Sequence, residues 1–350
     1  MKKKVTIYTI AEKLNISATT VYRALNNKSR ISDETKEKVM KTAKSLGFKP
    51  NTLAQSLARN PIHLAAFIMT GNRSFQHFII NGIKQTEKEL ENFNMSVDYF
   101  IYDGLSKTAS ADKYIKNTFN TIICKQYDGI LTTSGSPDAF TLCKNHNIPV
   151  ALIVSDIEKS HKRFCVKQDA LVAGQMAGEI LGLKMGAGGK VAVASGYEKL
   201  EVHMDTLKGF LASARASSLE VQSVYYNKDN PLLAYQQTLT LLKRKPSIAG
   251  IYVNTANSPG VIKAILELGL GKKISLITSD LTKTIKNYIK TGVITATIFQ
   301  NQYEQGRLGL LYLYRYIAEG MKVDDTVYVK PEIVLKANLN YYEDLNELHV

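Results

Sequence analysis

The 350-residue sequence predicts an α/β protein with a small helical head and a larger body built from parallel β-sheets. The first 60 residues hold thirteen basic side chains against four acidic ones, a net charge of +9, within a chain of net charge +14. Apolar residues of the head recur with helical spacing, and from Ile62 onward apolar strand segments alternate with amphipathic helical segments. Because such alternation is typical of parallel sheets covered by helices, we expect the sheets to lie in the body.

The head is predicted to form three short helices with helix-turn-helix spacing. Thr6 caps the first helix, the chain turns at Asn15, and Ser17 caps the second helix. A third helix opens at Ser32 and ends at Gly47. A compact helical unit with this charge is suited to a polyanion, and its second helix would enter the major groove of DNA.

Polar side chains of the second helix are candidates for reading bases. Thr19 and Thr20 can offer hydroxyls and methyls, and Arg23 can donate two hydrogen bonds to guanine. The alternative for these residues, and especially for Thr19 and Asn26, is a solvated surface or a contact with phosphate. A short helical stretch, 52–59, follows the possible cap Asn51, and it should form only against a partner because an eight-residue helix is marginal in water.

The body is predicted to contain two similar lobes, because about 290 residues are more than a domain built on a single sheet usually contains. Nine apolar segments are predicted as strands: 64–69, 97–102, 129–134, 150–155, 191–196, 221–226, 250–254, 274–280 and 294–299. We divide the chain into a head at 1–49, a linker at 50–60 and the body at 61–350. The first lobe is assigned 61–159 and 296–325, and the second lobe 160–295 and 326–345.

Several classes of function have little support in the sequence. The cysteines, Cys124, Cys143 and Cys165, lie far apart and the six histidines are scattered, which indicates reduced thiols and no metal or other cofactor. The segment GAGGK lacks the spacing of a phosphate loop, and no catalytic triad or carboxylate pair stands out, so we expect no enzyme. Without a secretion signal or an apolar run long enough to span a membrane, we expect a cytoplasmic protein with no membrane partner.

The segment VTIYTIAEKLNISATTVYRALNNKSRISDETKEKV, followed by LGFKPNTLAQSLA, resembles the lactose and galactose repressor family. The rest of the chain is similar to that family's effector domain, a two-lobed type I fold like that of periplasmic sugar-binding proteins. The resemblance implies that Ala18, Thr19 and Arg23 read bases. It implies that six further residues lie near the DNA backbone or groove edge: Tyr8, Ser17, Thr20, Asn26, Ser32 and Asn51. Tyr22 belongs to the same surface but stands where many members have serine.

In the linker, the resemblance implies that Ala54 and Leu57 meet the minor groove. Leu57 matches a leucine that wedges into the central base step, and an apolar wedge of this kind can kink DNA. The alternative is that Leu57 packs on the effector domain.

A ligand site is expected at the carboxyl ends of the body strands, where parallel α/β sheets bind ligands. Asp280, Asn254 and Gln300 end strands of the second half of the chain, and the resemblance implies that the aspartate hydrogen-bonds sugar hydroxyls. Thr133 and Ser134 end a strand of the first lobe, and Phe75 can offer a ring to a sugar face. Each of these residues alone could be a strand-end cap or a loop residue.

One position departs from the family pattern in the helix segment EVHMDTLKGF. Thr206 stands where the family usually has an arginine that anchors the ligand. His203, one turn earlier, is either a substitute for that anchor or an ordinary surface histidine.

The resemblance implies a homodimeric transcriptional repressor that binds a pseudo-palindromic operator and responds to a small ligand, a sugar or a sugar derivative. Whether the ligand releases or promotes DNA binding depends on the conformer it prefers. Two alternatives are a sugar-binding protein for transport or chemoreception, and a sugar-modifying enzyme with a DNA-binding head. The first fits the body but not the basic head.

Overall fold

The structure, a computed structural model, describes residues 5–25, 29–48, 60–70, 73–103 and 109–342. These residues divide into two compact units, one with the three N-terminal helices and one with both sheets and their helices. Within the described ranges, no helix is long and apolar enough to cross a membrane.

The head contains the three helices that the sequence predicts: α1 (Ile7–Leu14), α2 (Ala18–Leu25) and α3 (Asp33–Ser45). Asn15 ends α1 in the left-handed conformation at φ 51°, and the Ser17 hydroxyl accepts a 3.0 Å hydrogen bond from the backbone N–H of Thr20. These are the end of the first helix and the cap of the second helix that the sequence predicts. They bring Val21 of α2 into a small core against Ile10 of α1.

Twelve strands and nine helices form the rest of the described structure. The strands are β1 (Ile62–Thr70), β2 (Met95–Asp103), β3 (Gly129–Thr132), β4 (Val150–Ile153), β5 (Phe164–Gln168), β6 (Lys190–Ser195), β7 (Glu220–Tyr226), β8 (Gly250–Val253), β9 (Ser275–Ser279), β10 (Ala296–Phe299), β11 (Thr326–Val329) and β12 (Glu332–Val334). The helices are α4 (Arg73–Glu89), α5 (Ala109–Cys124), α6 (Pro137–Asn145), α7 (Ala170–Met185), α8 (Glu201–Ala216), α9 (Pro231–Arg244), α10 (Ser258–Glu267), α11 (Lys283–Lys290) and α12 (Gln302–Glu319). Two 3₁₀ turns span Glu91–Phe93 and Lys336–Tyr342.

The strands form two six-stranded sheets. The first has the order β11-β5-β4-β3-β1-β2 and is parallel throughout. The second has the order β12-β10-β9-β8-β6-β7 and is parallel except for the antiparallel pair of β10 and β12. Two lobes with parallel sheets confirm the predicted fold class. The central strands are buried over their whole length, as expected where helices cover both faces.

The lobe boundaries differ from those expected from the sequence. Strands β5 and β11 lie in the first sheet and β10 lies in the second, whereas the predicted boundaries put each of them in the other lobe. The reason is that β5 pairs with β4 before α7 carries the chain across, and β10 pairs with β9 before α12 carries it back. In the described structure the chain therefore passes between the sheets after β5, after β10 and after β11.

Helices α7 and α8 pack closely on the second sheet because glycines face the neighbouring backbone. A Cβ atom at Gly174 would lie 1.9 Å from the carbonyl oxygen of Thr206, and one at Gly209 would lie 2.0 Å from that of Leu171. Only a residue without a side chain fits at such a crossing. The pair positions the N-terminal turn of α8, which carries His203, beside the strand ends.

Candidate functional site

Helix α2 of the head has one buried side and one exposed side. Val21 and Ala24 are buried in the head core, whereas Thr19, Tyr22 and Arg23 are exposed. A guanidinium and a hydroxyl on the exposed side of the second helix of a helix-turn-helix are suited to read base edges.

Other predicted DNA residues of the head have structural contacts as well. The hydroxyls of Ser17 and Thr20 lie 2.8 Å apart, and the Ser32 hydroxyl caps α3 by accepting from the Thr35 N–H at 3.3 Å. Tyr8 is 70% exposed on α1, and Ala18 is half-buried against the head core. The remaining predicted residues, Asn26, Asn51, Ala54 and Leu57, lie outside the described residues.

In the second lobe, Asp280 follows β9 at the carboxyl edge of the sheet, where the sequence predicts it. Its Oδ1 accepts hydrogen bonds from the Nε2 atoms of Gln300, at 2.9 Å, and Gln302, at 2.8 Å. Oδ2 is therefore the carboxylate oxygen available to a ligand. Burial raises the pKa of Asp280 to about 6, although the two amide donors oppose this rise. The backbone of Asp280 is left-handed, at φ 70°, a conformation that aspartate and asparagine tolerate better than most residues.

His203 on α8 lies beside the ends of β6, β7 and β8. Its Nδ1 accepts a 3.0 Å hydrogen bond from the backbone N–H of Tyr197, and its carbonyl oxygen accepts one from Nδ2 of Asn254 at 3.2 Å. A Cβ atom at Gly196 would lie 2.2 Å from the His203 ring and 2.6 Å from Oδ1 of Asp229, so this glycine leaves space for both side chains. His203 is only 8% exposed, so its interpretation as an ordinary surface histidine is wrong.

Burial shifts the pKa values of this histidine and this aspartate in opposite directions. It lowers the pKa of His203 and raises that of Asp229, while the attraction between the two charges opposes both shifts. The Tyr197 N–H points at Nδ1, so Nδ1 carries no proton and the neutral ring holds its proton on Nε2.

Four of the ten buried side-chain atoms that lack a hydrogen-bond partner among the described residues lie at the same edge of the second sheet. They include Oγ of Ser195, which ends β6, and Oδ1 of Asn254, which follows β8. They also include Nδ2 of Asn227 and Oδ1 of Asp229 after β7. Because buried polar groups are nearly always paired, this concentration indicates a binding surface for a polar molecule.

The first-lobe candidates are less suited to a ligand. The Thr133 hydroxyl donates to the Met69 carbonyl and accepts from the Met69 N–H, both at 2.9 Å, so it joins β3 to β1. Ser134 is buried and its N–H donates to the Thr132 hydroxyl at 3.0 Å. Phe75 is half-buried in the first turn of α4.

Thr206 does not act as an anchor in the way that an arginine would. It is 6% exposed, and its hydroxyl donates to the Val202 carbonyl at 2.5 Å. Sequence reasoning missed Asp229, Ser195 and Asn227. Ser195 ends β6 and Asn227 directly follows β7, so a search for polar residues at strand ends would have found these two. Asp229 lies three residues beyond β7 and has no such signal in the sequence.

A cavity of about 230 Å³ lies elsewhere, between β5 and the first two turns of α8. The ion pair of Lys167 and Glu201, 2.7 Å long, joins the two lobes at its wall. None of the sequence-predicted ligand residues lines this cavity. Across the ranges that the structure describes, no three His, Cys, Asp or Glu side chains are grouped to hold a metal ion.

Comparison with known proteins finds two family models. Residues 66–321 match the periplasmic binding protein domain, and residues 6–51 match the bacterial regulatory proteins of the lacI family. Catabolite control protein A of Staphylococcus aureus is 21% identical over 96% of this chain and 98% of its own length. The probable HTH-type transcriptional repressor ExuR of Bacillus subtilis is 26% identical over 76% of this chain and 78% of its own length.

Among solved structures, GanP, a glucose-galactose binding protein from Geobacillus stearothermophilus, has the same fold as the second unit. It is 21% identical, with a TM-score of 0.68, over 80% of this chain and 99% of its own. With an exposed recognition helix, a two-lobed body and relatives that match both units, the chain belongs to the lacI family of bacterial regulatory proteins, which are DNA-binding transcriptional regulators.

Proposed function

We propose that this regulator is a homodimeric repressor that binds a pseudo-palindromic operator and is controlled by a small polyhydroxyl ligand held at the carboxyl edge of the second sheet. The observation that carries the proposal is the group of buried, unpartnered polar atoms at that edge, in the same chain as an exposed recognition helix. A transport function does not require a DNA-binding head, and a DNA-binding function alone does not require a polar edge on the second sheet.

The ligand is proposed to be a sugar or a sugar derivative. Asp280 and Asn254 offer carboxylate and amide oxygens, and a hydroxyl group is a natural donor to both. Gln300 supports the orientation of Asp280 through its own hydrogen bond. GanP, which has the same fold, is described as a glucose-galactose binding protein, and this description supports the same ligand class here.

Ligand control is proposed to act through the angle between the lobes. A ligand that contacts both lobes favours the closed conformer, so it shifts the population toward that conformer by its difference in affinity. The ion pair of Lys167 and Glu201 is a contact between lobes that such a rotation would alter. In this proposal the linker at 50–60 transmits the change to the head, with Leu57 as the minor-groove wedge.

The proposal predicts that Arg23→Ala weakens operator binding by about tenfold to a hundredfold, since a lost bidentate contact with guanine costs about 1–3 kcal/mol. Fluorescence anisotropy with labelled operator at fixed salt measures this loss. The control is Lys38→Ala on α3, whose ammonium is paired with Glu34 at 2.7 Å. Equal losses for the two variants would mean that Arg23 contributes only general charge.

The function itself is tested with the full-length protein. Genomic fragments retained by the protein in a salt-dependent manner identify the operator, and sugars are then screened for release or enhancement of that complex. A bound sugar that is recovered chemically unchanged supports a binding function, whereas turnover would favour an enzyme. Failure of every duplex to bind would overturn the proposal.

A further inference from the structure

Two carboxyl groups, those of Asp229 and Asp280, lie at the polar edge of the second sheet, and among the described residues neither forms an ion pair with a lysine or an arginine. The charge of Asp229 adds to the rise in the pKa of Asp280, and His203 is the one charged group among the described residues that lowers the pKa of Asp229. A buried carboxylate without a cation is costly, and burial raises both pKa values for this reason.

His203 does not supply the missing positive charge. Protonation of Nδ1 would break the hydrogen bond from the Tyr197 N–H, and burial disfavours the imidazolium further. The neutral ring therefore contributes a donor at Nε2, while the carboxyl groups remain without a cationic partner among the described residues.

The free oxygens at this edge are mainly acceptors. Oδ1 of Asp229 and Oδ1 of Asn254 are buried without partners in the described structure, and the two amide donors to Asp280 both end on Oδ1. Asn254 is 5% exposed, so its oxygen depends on the ligand for a hydrogen bond. The donors at this edge are Nδ2 of Asn227 and Nε2 of His203, so a ligand that complements the surface supplies more donors than acceptors and has no negative charge.

Building on the proposed ligand site, we propose that the second lobe binds its ligand through a positively charged amino group held by Asp229 and Asp280, so that the regulator responds to an amino sugar. An ammonium group donates three hydrogen bonds and neutralises the carboxylates. The same surface rejects sugar acids and sugar phosphates, because a further negative charge would repel both aspartates.

The test compares three sets of probes on the full-length protein by isothermal titration calorimetry. The sets are the 2-amino and 6-amino hexoses of gluco, galacto and manno configuration, their neutral parent hexoses, and the corresponding uronic acids. At least one amino hexose is expected to bind about tenfold to a hundredfold more tightly than its parent, in keeping with hydrogen bonds to charged groups. The uronic acids are expected not to bind.

The variant Asp229→Asn then tests whether the charge of this side chain, and not its shape, sets the preference for an amino hexose. Asp229 is left-handed at φ 52°, which asparagine also tolerates. The variant is expected to lose the preference for the amino hexose while its affinity for the neutral parent changes less than about twofold. The control is Glu179→Gln, an exposed carboxylate on α7 of the same lobe, which should change neither affinity.

The outcomes separate this inference from the proposed function. One outcome is that a neutral hexose binds as tightly as its amino form and loses its affinity in Asp280→Asn. This result would support the proposed ligand site and contradict the proposal that the ligand carries an amino group. Preferential binding of a uronic acid would also overturn it. If no amino hexose binds at about 10 mM, where the free energy of binding is below about 3 kcal/mol, the amine assignment is rejected.

Discussion

Asp280→Asn is expected to abolish the ligand's effect on operator binding while making the ligand-free protein more stable at pH 8. The loss of ligand response follows because asparagine removes the charge and one of the acceptor oxygens at the centre of the proposed site. The gain in stability follows because wild-type Asp280 is buried as a charged group at this pH. Asparagine keeps an oxygen for Gln300 and Gln302 and tolerates the left-handed backbone, whereas alanine would add strain.

The sign of the pH dependence follows from the raised pKa. In the folded protein the pKa of Asp280 is about 6, against an ordinary value of 3.8, so the folded state binds the proton more tightly than the unfolded chain does. This carboxyl therefore contributes a destabilisation of up to about 3 kcal/mol above pH 6, which disappears as the pH falls toward 4. The advantage of Asp280→Asn over wild type should shrink in the same way.

Urea denaturation of both proteins at pH 8 and pH 5 measures this difference. The lowered pKa of His203 and the raised pKa of Asp229 also make stability depend on pH, but both residues are present in both proteins, so their contributions largely cancel in the comparison. An Asp280→Asn protein that is less stable than wild type at pH 8 would contradict the assignment of the raised pKa to burial.

Gly174→Ala is expected to destabilise the second lobe by about 2 kcal/mol or more. Alanine favours a helix over glycine by about 1 kcal/mol, so an exposed glycine in α7 would gain stability from the same change. Here the added methyl would lie 1.9 Å from a backbone carbonyl of α8, so the two helices must separate. The midpoint of urea denaturation gives the free-energy change.

The control for this variant is Glu179→Ala, at an exposed position of the same helix. It removes a side chain without touching α8, and a change below about 0.5 kcal/mol is expected. If Gly174→Ala proved as stable as this control, the close crossing of α7 and α8 would not exist in solution.

Much of the fold could be predicted from the sequence. All nine predicted strands are present, and most of them are buried parallel strands whose continuous apolar runs are recognisable in the sequence. Strands β2 and β7 are partly exposed strands at the sheet edges. The three strands that were not predicted are β5, β11 and β12. Of these, β11 and β12 are only partly buried, and β5 and β12 contain a charged side chain. Which sheet receives a strand depends on pairing between distant residues, so the expected lobe boundaries put the residues of β5, β10 and β11 in the wrong lobe.

The candidate site was predictable in part for the same reason. Asp280 and Asn254 directly follow short strands that are buried over their whole length, and the structure brings them to one edge. Asp229 lies in the segment NKDN, which has the composition of an ordinary turn, and only its burial against His203 and Gly196 distinguishes it. Thr133 satisfies the strand-end rule equally well, yet its hydroxyl is used by the backbone of β1.

The interleaved sheets have a consequence for synthesis on the ribosome. The first sheet starts with β1, but its edge strand β11 is translated only after β6 to β10 have completed most of the second sheet. The first lobe is thus the first to emerge, yet its sheet stays incomplete until β11 is made, and a nascent chain would expose its unpaired β5 edge until about residue 330. The DNA-binding head is complete long before, so a prematurely terminated chain would carry a head that no ligand can control.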